Sequence, residues 1–276
     1  MDVYYNYNRI NKTLKVIYKG LAPKTRGLVI MIIQKLPWAG IRIQGKTTNV
    51  VIDPLFHFPS RFNLPHETFY PLHEFGPVDA VLITHHHADH FDSEAISTYY
   101  GDEIPVYFPK ESAQFARDTS LNNIIEAALG ESFTIGDINI TATYSVDGVG
   151  DPQVAWIVES EGKKLIHCGD TLWHGYWWKI AKTYGPFDAA CLPVNAAVVE
   201  FPGVIPSGQP ITLSPEQAAA AATVLGASTL VPIHYKAIHH PPLYSETPDI
   251  LARLQAASAN HKLNLAILAS KDTLTL

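Results

Sequence analysis

The stretch from Ala80 to His90 constrains this chain more than any other. The apolar run Ala80-Val81-Leu82-Ile83 has the composition of a buried strand and leads directly into Thr84-His85-His86-His87-Ala88-Asp89-His90. Where a strand gives way to a loop, alternate side chains no longer point to opposite faces, so several imidazoles and a carboxylate can converge. Such groups are the usual ligands of Zn²⁺, Mn²⁺ or Fe²⁺. The run therefore predicts a metal site rather than a solvated histidine-rich loop.

Three more metal-competent side chains follow predicted strands elsewhere in the chain. They are Asp53, Asp170 and His234. Taken singly, an aspartate after a strand is typical of a turn or a helix cap, and a lone histidine there is typical of a hydrogen-bonded edge residue. Their order along the chain, together with the histidine loop, favours one shared site.

Composition limits the classes of function. A chain of 276 residues with 47% hydrophobic content is long enough for one large domain with a full core. The net charge of −6 and the absence of any Lys/Arg block argue against a nucleic-acid-binding surface. Cys168 and Cys191 lie far apart in apolar segments, which favours free thiols and a cytoplasmic protein. We expect neither a signal peptide nor a membrane span.

The order of predicted elements indicates an α+β fold in which two sheets pack face to face with helices outside. Residues 1–30 show no clean period and are expected to be an N-terminal extension, with the main domain over 31–276. Residues 55–77, rich in aromatic residues and proline, are expected to form a long ordered loop that rims a site. Strands are predicted at 32–34, 41–44, 50–52, 80–83, 106–108, 132–135, 138–144, 154–159, 164–167, 189–193, 230–233 and 263–268. Helices are predicted at 93–100, 111–117, 214–225 and 248–255, the third beginning with the capping box Ser214-Pro215-Glu216-Gln217.

Four phrases in this order resemble the metallo-β-lactamase superfamily. They are Asp53-Pro54, His85-x-His87-x-Asp89-His90, Gly169-Asp170-Thr171 and Pro232-Ile233-His234-Tyr235. The resemblance spans about Met31 to Leu268 and implies a four-layer αβ/βα sandwich. The last two phrases most resemble the branch that contains the ascorbate-phosphate lactonase and the phospholipase D acting on N-acyl ethanolamine lipids.

The resemblance implies a role for each matching residue. His85 and His87 would bind a first metal ion; Asp89, His90 and His234 would bind a second, and Asp170 would bridge the two. The implied cofactors are two divalent ions, Zn²⁺ or Mn²⁺, with Fe²⁺ as a further candidate. A hydroxide between the ions would attack the substrate, and Asp89 and Asp170 would be the catalytic carboxylates. Asp53, which would hold a ligand imidazole in the right tautomer, and Thr171 are expected to support the ligands from outside.

Two positions depart from the family pattern. The family supplies a third histidine to the first metal, but no histidine occurs between His90 and His167, and Asp147 stands where that ligand belongs. Asp147 either coordinates the first metal through a harder, charged oxygen, or merely caps the turn at Asp147-Gly148 and leaves the first site weakened. The second departure is Trp38, where relatives commonly have a histidine; an indole can neither bind a metal nor transfer a proton.

The function favoured by these observations is hydrolysis of a small-molecule lactone or other cyclic ester. The alternatives are phosphodiester hydrolysis, of a cyclic nucleotide or a phospholipid-derived substrate, and a degenerate metal-binding protein without activity. The partner is then a small molecule, and the sequence leaves a homo-oligomer open. Residues near the metal ligands are expected to contact the substrate: Trp173, His174, Trp177 and Asn195.

Overall fold

Short apolar runs form most of the strands, at the positions that the sequence predicts. The computed structural model describes residues 31–276, and the predicted extension over 1–30 lies outside them. The strands are β1 (Ile32–Lys35), β2 (Ile41–Gln44), β3 (Asn49–Ile52), β4 (Ala80–Leu82), β5 (Val106–Pro109), β6 (Ile124–Ala127), β7 (Ser132–Ile135), β8 (Ile138–Tyr144), β9 (Val154–Ser160), β10 (Lys163–His167), β11 (Phe187–Pro193), β12 (Val198–Val199), β13 (Ala227–Ile233), β14 (Tyr244–Ser245), β15 (Asn264–Leu265) and β16 (Thr273–Thr275). The helices are α1 (Ser93–Tyr100), α2 (Gln114–Arg117), α3 (Trp177–Tyr184), α4 (Pro215–Val224) and α5 (Ile250–His261).

Fourteen of these strands form two seven-stranded sheets. The first has the order β16-β1-β2-β3-β4-β5-β6, antiparallel from β16 to β3 and parallel from β3 to β6. The second has the order β15-β13-β11-β10-β9-β8-β7, antiparallel from β7 to β10 and parallel from β10 to β15. In the parallel parts of both sheets the carboxyl ends of neighbouring strands lie at one edge, where ligands commonly bind.

The core consists of three layers of buried side chains, and this confirms the predicted four-layer sandwich. A central cluster lies between the sheets and includes Leu82 and Val231. A second cluster packs α1 and α2 onto the first sheet through Val81 and Ile96, and a third packs α3, α4 and α5 onto the second sheet. Strand β4 contributes Leu82 to one layer and Val81 to another, which explains why its sequence is apolar without alternation.

The best-defined helix begins as the sequence predicts. Helix α4 has a complete capping box: the Ser214 hydroxyl accepts the Gln217 backbone N–H, and the Gln217 side chain accepts the Ser214 backbone N–H. Pro215 at the first helical position needs no hydrogen-bond partner for its nitrogen. This arrangement satisfies the free donors at the helix start.

Several predicted elements were wrong or missing. The helix predicted over 111–117 is a 3₁₀ turn at Lys110–Ser112 followed by the short α2. The strand predicted over 263–268 shortens to β15, and the chain continues to β16, which pairs with β1 in the other sheet. Strand β6 and helix α3 were not predicted. Within residues 31–276 the longest helix has 12 residues, too few to cross a bilayer.

Candidate metal centre

Loops at the ends of three strands bring the predicted donors together. After β4, the backbone N–H groups of His90 and Phe91 both donate to the His87 carbonyl oxygen, at 2.9 and 2.8 Å, and the resulting turn gathers the histidines. Asp170 follows β10, and His234, with a left-handed φ of 56°, follows β13. The second sheet thus supplies two donors, and the loop after β4 in the first sheet supplies the others.

Gly169 permits the close approach of two of these loops. Its φ of 56° lies in the left-handed region. A Cβ at this position would come 2.6 Å from Gln153 Oε1 and 2.9 Å from Thr84 Oγ1. The small residue before Asp170 therefore lets that carboxylate reach the histidine loop.

One group of donors consists of Asp89, His90, Asp170 and His234, all buried, with one ligand atom from each within 4.8 Å of the others. The Asp170 oxygens lie 2.9 Å from Nε2 of His90 and 2.9 Å from Nε2 of His234. Despite these distances, neither nitrogen has the alignment of a hydrogen bond to any atom of the described chain. Buried polar atoms without partners are costly, and lone pairs that converge on one point are what a cation requires.

A second group consists of His85, His87 and Asp170. Nε2 of His85 is buried, lacks a hydrogen-bond partner among the described residues and lies 4.0 Å from Asp170 Oδ2. Six of the seven predicted metal donors thus lie in two groups, and Asp170 belongs to both. Imidazole nitrogens and carboxylate oxygens in this number suit a divalent transition metal.

The protonation states in the metal-free protein differ among the donors. Burial lowers the pKa of His90 and His234, but the neighbouring Asp170 carboxylate outweighs burial and raises both pKa values, so a cation would compete with protons at these two rings. Burial lowers the pKa of His85 well below its usual value, so the imidazole is neutral and offers a lone pair. Burial raises the pKa of Asp170, but the imidazoles of His234 and His90 outweigh that effect and hold the pKa well below its usual value. The central carboxylate is therefore ionised at neutral pH.

Asp147 lies beside these groups rather than within them. Its Oδ1 accepts backbone N–H groups from Val149, Gly150 and Asp151, so the turn that the sequence left open does form. Its Oδ2 lies 3.9 Å from Nδ1 of His87, and burial raises the pKa of the carboxyl. One oxygen thus organises the loop, and the other faces the first donor group.

Sequence reasoning missed Asp151, which lies 2.8 Å from Nε2 of His87. Asp151 closes the same turn that Asp147 opens, but its contact with His87 joins two loops that are 64 positions apart and leaves no local pattern in the sequence. A hydrogen bond joins Asp151 Oδ2 to Nε2 of His87, and this bond fixes the orientation of the ring. The neighbouring His86 stacks on Phe115 at 3.8 Å between ring centroids.

Asp53 contacts the back of a donor imidazole. Its Oδ2 lies 2.8 Å from Nδ1 of His90, which directs the other nitrogen, Nε2, toward Asp170. Thr84, which the sequence did not single out, donates its backbone N–H at 2.8 Å and its hydroxyl at 2.6 Å to Asp53. The Thr84 hydroxyl also lies 2.9 Å from Nδ1 of His85, so one threonine joins the supports of two donor rings.

Trp38 contacts the second donor group. Its indole N–H donates to Asp89 Oδ2 at 3.2 Å, and its ring lies 3.9 Å from the His234 ring. The side chains of Glu67 and Lys35 hold the Trp38 backbone, with Glu67 accepting its N–H and Lys35 donating to its carbonyl at 2.6 Å. The position therefore has a structural connection to the cluster even without a histidine.

Thr171 supports the Asp147 loop instead of touching a donor imidazole. It forms a backbone bridge with Asp147, its hydroxyl donates to the Leu172 carbonyl at 3.1 Å, and that hydroxyl accepts the Val146 N–H at 3.4 Å. These contacts anchor the segment that carries Asp147.

A cavity of about 530 Å³ opens onto the donors. Asp89, Asp147 and Asp170 line its acidic end together with His87 and Asp151. Its wall and mouth are formed by the remaining lining residues: Arg61, Phe62, Gly148, Val149, Val199, Phe201, Val204, Ile205, Ser207, Ile211 and Tyr244. The volume is in the range of sites for small molecules. The aromatic loop predicted over 55–77 contributes two of these residues.

The four side chains predicted to contact substrate are not among the residues that line this cavity. Trp177 is fully buried between α3 and the second sheet, and His174 stacks on it at 4.2 Å. Trp173 lies 39% exposed outside the cavity. Asn195 is buried and donates to the Tyr244 hydroxyl at 2.8 Å, so it reaches the wall only through another residue. The unpredicted helix α3 turns Trp177 toward the core, while Trp173 and Trp178 stay exposed.

Comparison with known proteins agrees with this geometry. The family described as beta-lactamase superfamily domain matches residues 48–235. A metal-dependent hydrolase from Rubrobacter xylanophilus is 29% identical over 218 residues, which cover 74% of this chain and 80% of that protein. A metallo hydrolase from Ignicoccus hospitalis superimposes with a TM-score of 0.67 and 20% identity, over 90% of this chain and 98% of that chain. An isothiocyanate hydrolase from Delia radicum gut bacteria superimposes with a TM-score of 0.70 and 23% identity, over 89% and 99% of the two chains.

At these identities the solved structures show a common fold, while the family match covers Asp53 and the strands and loops that carry the six donors. The predicted resemblance is confirmed at the level of the superfamily. The chain therefore belongs to the beta-lactamase superfamily domain family, among the metal-dependent hydrolases of the metallo-β-lactamase fold.

Proposed function

We propose that residues 31–276 form one hydrolase domain that holds two divalent cations and cleaves a lactone or other cyclic ester of a small molecule. The observation that carries the proposal is the position of Asp170, whose carboxylate belongs to both donor groups. A carboxylate with two oxygens can serve two cations at once, as in other dinuclear hydrolases. Zn²⁺, Mn²⁺ and Fe²⁺ all suit the donors.

Each side chain has a definite task in this scheme. His85 and His87 would hold one cation, and Asp89, His90 and His234 the other. Bound cations of this kind lower the pKa of water and polarise a carbonyl oxygen. Asp89 lies at the acidic end of the cavity, where its free oxygen can accept a hydrogen bond from the attacking water. Asp53 keeps the His90 ring oriented throughout.

The charge of the cavity favours an ester over a phosphodiester. Four carboxylates line the cavity in or beside the donor groups, from Asp89, Asp147, Asp151 and Asp170. Their charge offsets that of two divalent cations, so the loaded site has no excess positive charge to attract a phosphodiester anion. The apolar wall suits a neutral ring carrying a hydrophobic substituent.

The proposal is tested by metal analysis and by turnover of lactones and phosphodiesters with Mn²⁺, Zn²⁺ and Fe²⁺. We expect about two metal equivalents per chain, hydrolysis of at least one lactone, and no turnover in Asp170→Ala. The matched control is Asp188→Ala, which removes a carboxylate that pairs with Lys163 at 2.8 Å near the start of β11. Metal content of one equivalent or less, or activity retained in Asp170→Ala, would refute the two-ion scheme; turnover of phosphodiesters alone would refute the substrate class.

A further inference from the structure

The wall of the cavity is apolar over most of its depth. Phe62 packs against two other aromatic residues of this wall, with ring centroids 5.6 Å from Tyr244 and 6.3 Å from Phe201. Val199 and Ile211 complete this surface. Such a wall desolvates a hydrocarbon or aryl group and offers it few hydrogen bonds.

The mouth of the same cavity carries one guanidinium. Arg61 lines the cavity, and its Cζ lies 4.8 Å from the Phe62 ring centroid and 5.8 Å from the Phe201 ring centroid. The two rings therefore support the guanidinium at the end of the apolar wall. Stacking of this kind restrains a long side chain and leaves its N–H groups free to donate.

Arg61 also lacks a carboxylate partner within residues 31–276. The ion pairs formed by Lys and Arg in this range involve Arg117, Lys163, Lys164, Arg253 and Lys271. The four carboxylates of the cavity belong to the metal donor groups or contact His87 of those groups, and none of them forms an ion pair with Arg61. The cavity is thus polarised, with an acidic metal-binding end, an apolar middle and a cationic mouth.

We infer that the cavity selects a lactone or ester whose apolar substituent ends in an anionic group, which Arg61 binds while the acyl carbon lies at the metal donors. This inference rests on the proposed function and names its substrate class. A carboxylate or sulfonate at the outer end would take a charge-assisted hydrogen bond from the guanidinium. Neutral substrates of the same length would contact the apolar wall but leave Arg61 without an ion-pair partner.

The test compares two γ-lactones with side chains of equal length, one ending in a carboxylate and one in its methyl ester. We expect the wild-type protein to show a kcat/KM about tenfold higher for the carboxylate, mainly through KM, and the preference to shrink in high salt. Arg61→Gln should reduce the ratio of kcat/KM for the carboxylate to kcat/KM for the methyl ester to about one, and Arg61→Lys should restore part of that ratio. The matched control is Arg117→Gln, which alters an exposed arginine that pairs with Glu126. Equal kcat/KM for the two lactones, or a preference that survives Arg61→Gln, would overturn the inference.

A binding measurement separates this inference from the proposed hydrolysis. Octanesulfonate has an apolar chain and an anionic end but no ester bond to cleave. Calorimetric titration of the metal-free protein with octanesulfonate therefore measures binding in the cavity without any reaction. Binding that Arg61→Gln abolishes, in a protein that hydrolyses no lactone, would support the anion site and refute the hydrolysis proposal. Lactone turnover together with equal octanesulfonate binding by the wild-type protein and Arg61→Gln would support the hydrolysis proposal and refute the anion site.

Discussion

The substitution Asp53→Asn tests whether a carboxylate outside the donor groups sets the state of a donor imidazole. Asp53 Oδ2 faces both the Thr84 hydroxyl, at 2.6 Å, and Nδ1 of His90, at 2.8 Å. Asp53 Oδ1 accepts the Thr84 backbone N–H at 2.8 Å, so the amide oxygen of asparagine takes that place and its NH₂ faces Nδ1 of His90. The NH₂ donates to Nδ1, and that nitrogen can no longer carry the proton. The His90 ring then keeps its proton on Nε2, the nitrogen that faces Asp170, and that nitrogen can no longer bind a cation.

The expected loss follows from that geometry. Removal of a support to a metal-binding histidine costs about 10–100-fold in metal affinity, which corresponds to about 1.4–2.7 kcal/mol. Backbone strain does not confuse the result, because the φ of 45° at Asp53 is in the left-handed region that asparagine tolerates as well as aspartate. Competition with a chromophoric chelator measures the affinity, and urea denaturation of the metal-free protein measures the stability.

The matched control is Asp137→Asn. Asp137 also accepts several hydrogen bonds, from the backbone N–H groups of Lys46 and Thr47 and from the Ser160 hydroxyl, all outside the donor groups. We expect this variant to lose stability and keep its metal affinity. Metal binding by Asp53→Asn equal to that of the wild-type protein would show that Asp53 does not set the tautomer of His90.

Two further predictions concern buried groups near the cluster. Trp38→Phe keeps a ring against His234 but removes the N–H that donates to Asp89, so we expect metal affinity to fall about tenfold. The control is Trp177→Phe, which changes an equally buried tryptophan and should lower the free energy of unfolding without changing metal affinity. Burial lowers the pKa of Lys35 from 10.5 to about 8, so between pH 8 and 9 the unfolded chain binds more protons and this group makes the protein more stable as pH rises. From pH 8 to 9, urea denaturation should show the free energy of unfolding of the wild-type protein rising by about 1 kcal/mol more than that of Lys35→Met. The same pH dependence in both proteins would contradict the lowered pKa of Lys35.

Local signals predicted most of the fold. Helix α4 was predicted from its capping box, and the predicted strands β7 and β8 flank the short turn at Gly136-Asp137, so in each case the cause lies within a few residues. Strand β16 depends on a partner more than two hundred residues away, β1, and its short polar sequence carries no pattern of its own. Helix α3 was missed because Trp177 was interpreted as a residue of a pocket wall, although it faces the core together with Ile180.

The candidate site was predictable only in part, for the same reason. Ligand residue types and their order after strands indicated which side chains converge, and the structure brings them together. The carboxylate of Asp151 and the hydroxyl of Thr84 act through contacts across loops, which no local pattern encodes. The cavity wall is another such feature, because Arg61 and Phe201 are 140 positions apart and meet only in the folded chain.

The supply of donors by both sheets has a consequence for the stability of the whole domain. A cation held by His90, Asp170 and His234 would act as a cross-link between chain segments that are up to 144 positions apart. Since the unfolded chain cannot offer this arrangement, mass action would add about 2.7 kcal/mol to the free energy of unfolding at a hundredfold excess of metal over its dissociation constant. Chelation would then do more than halt the chemistry: it would release the two halves of the sandwich from each other at the end where the cavity opens.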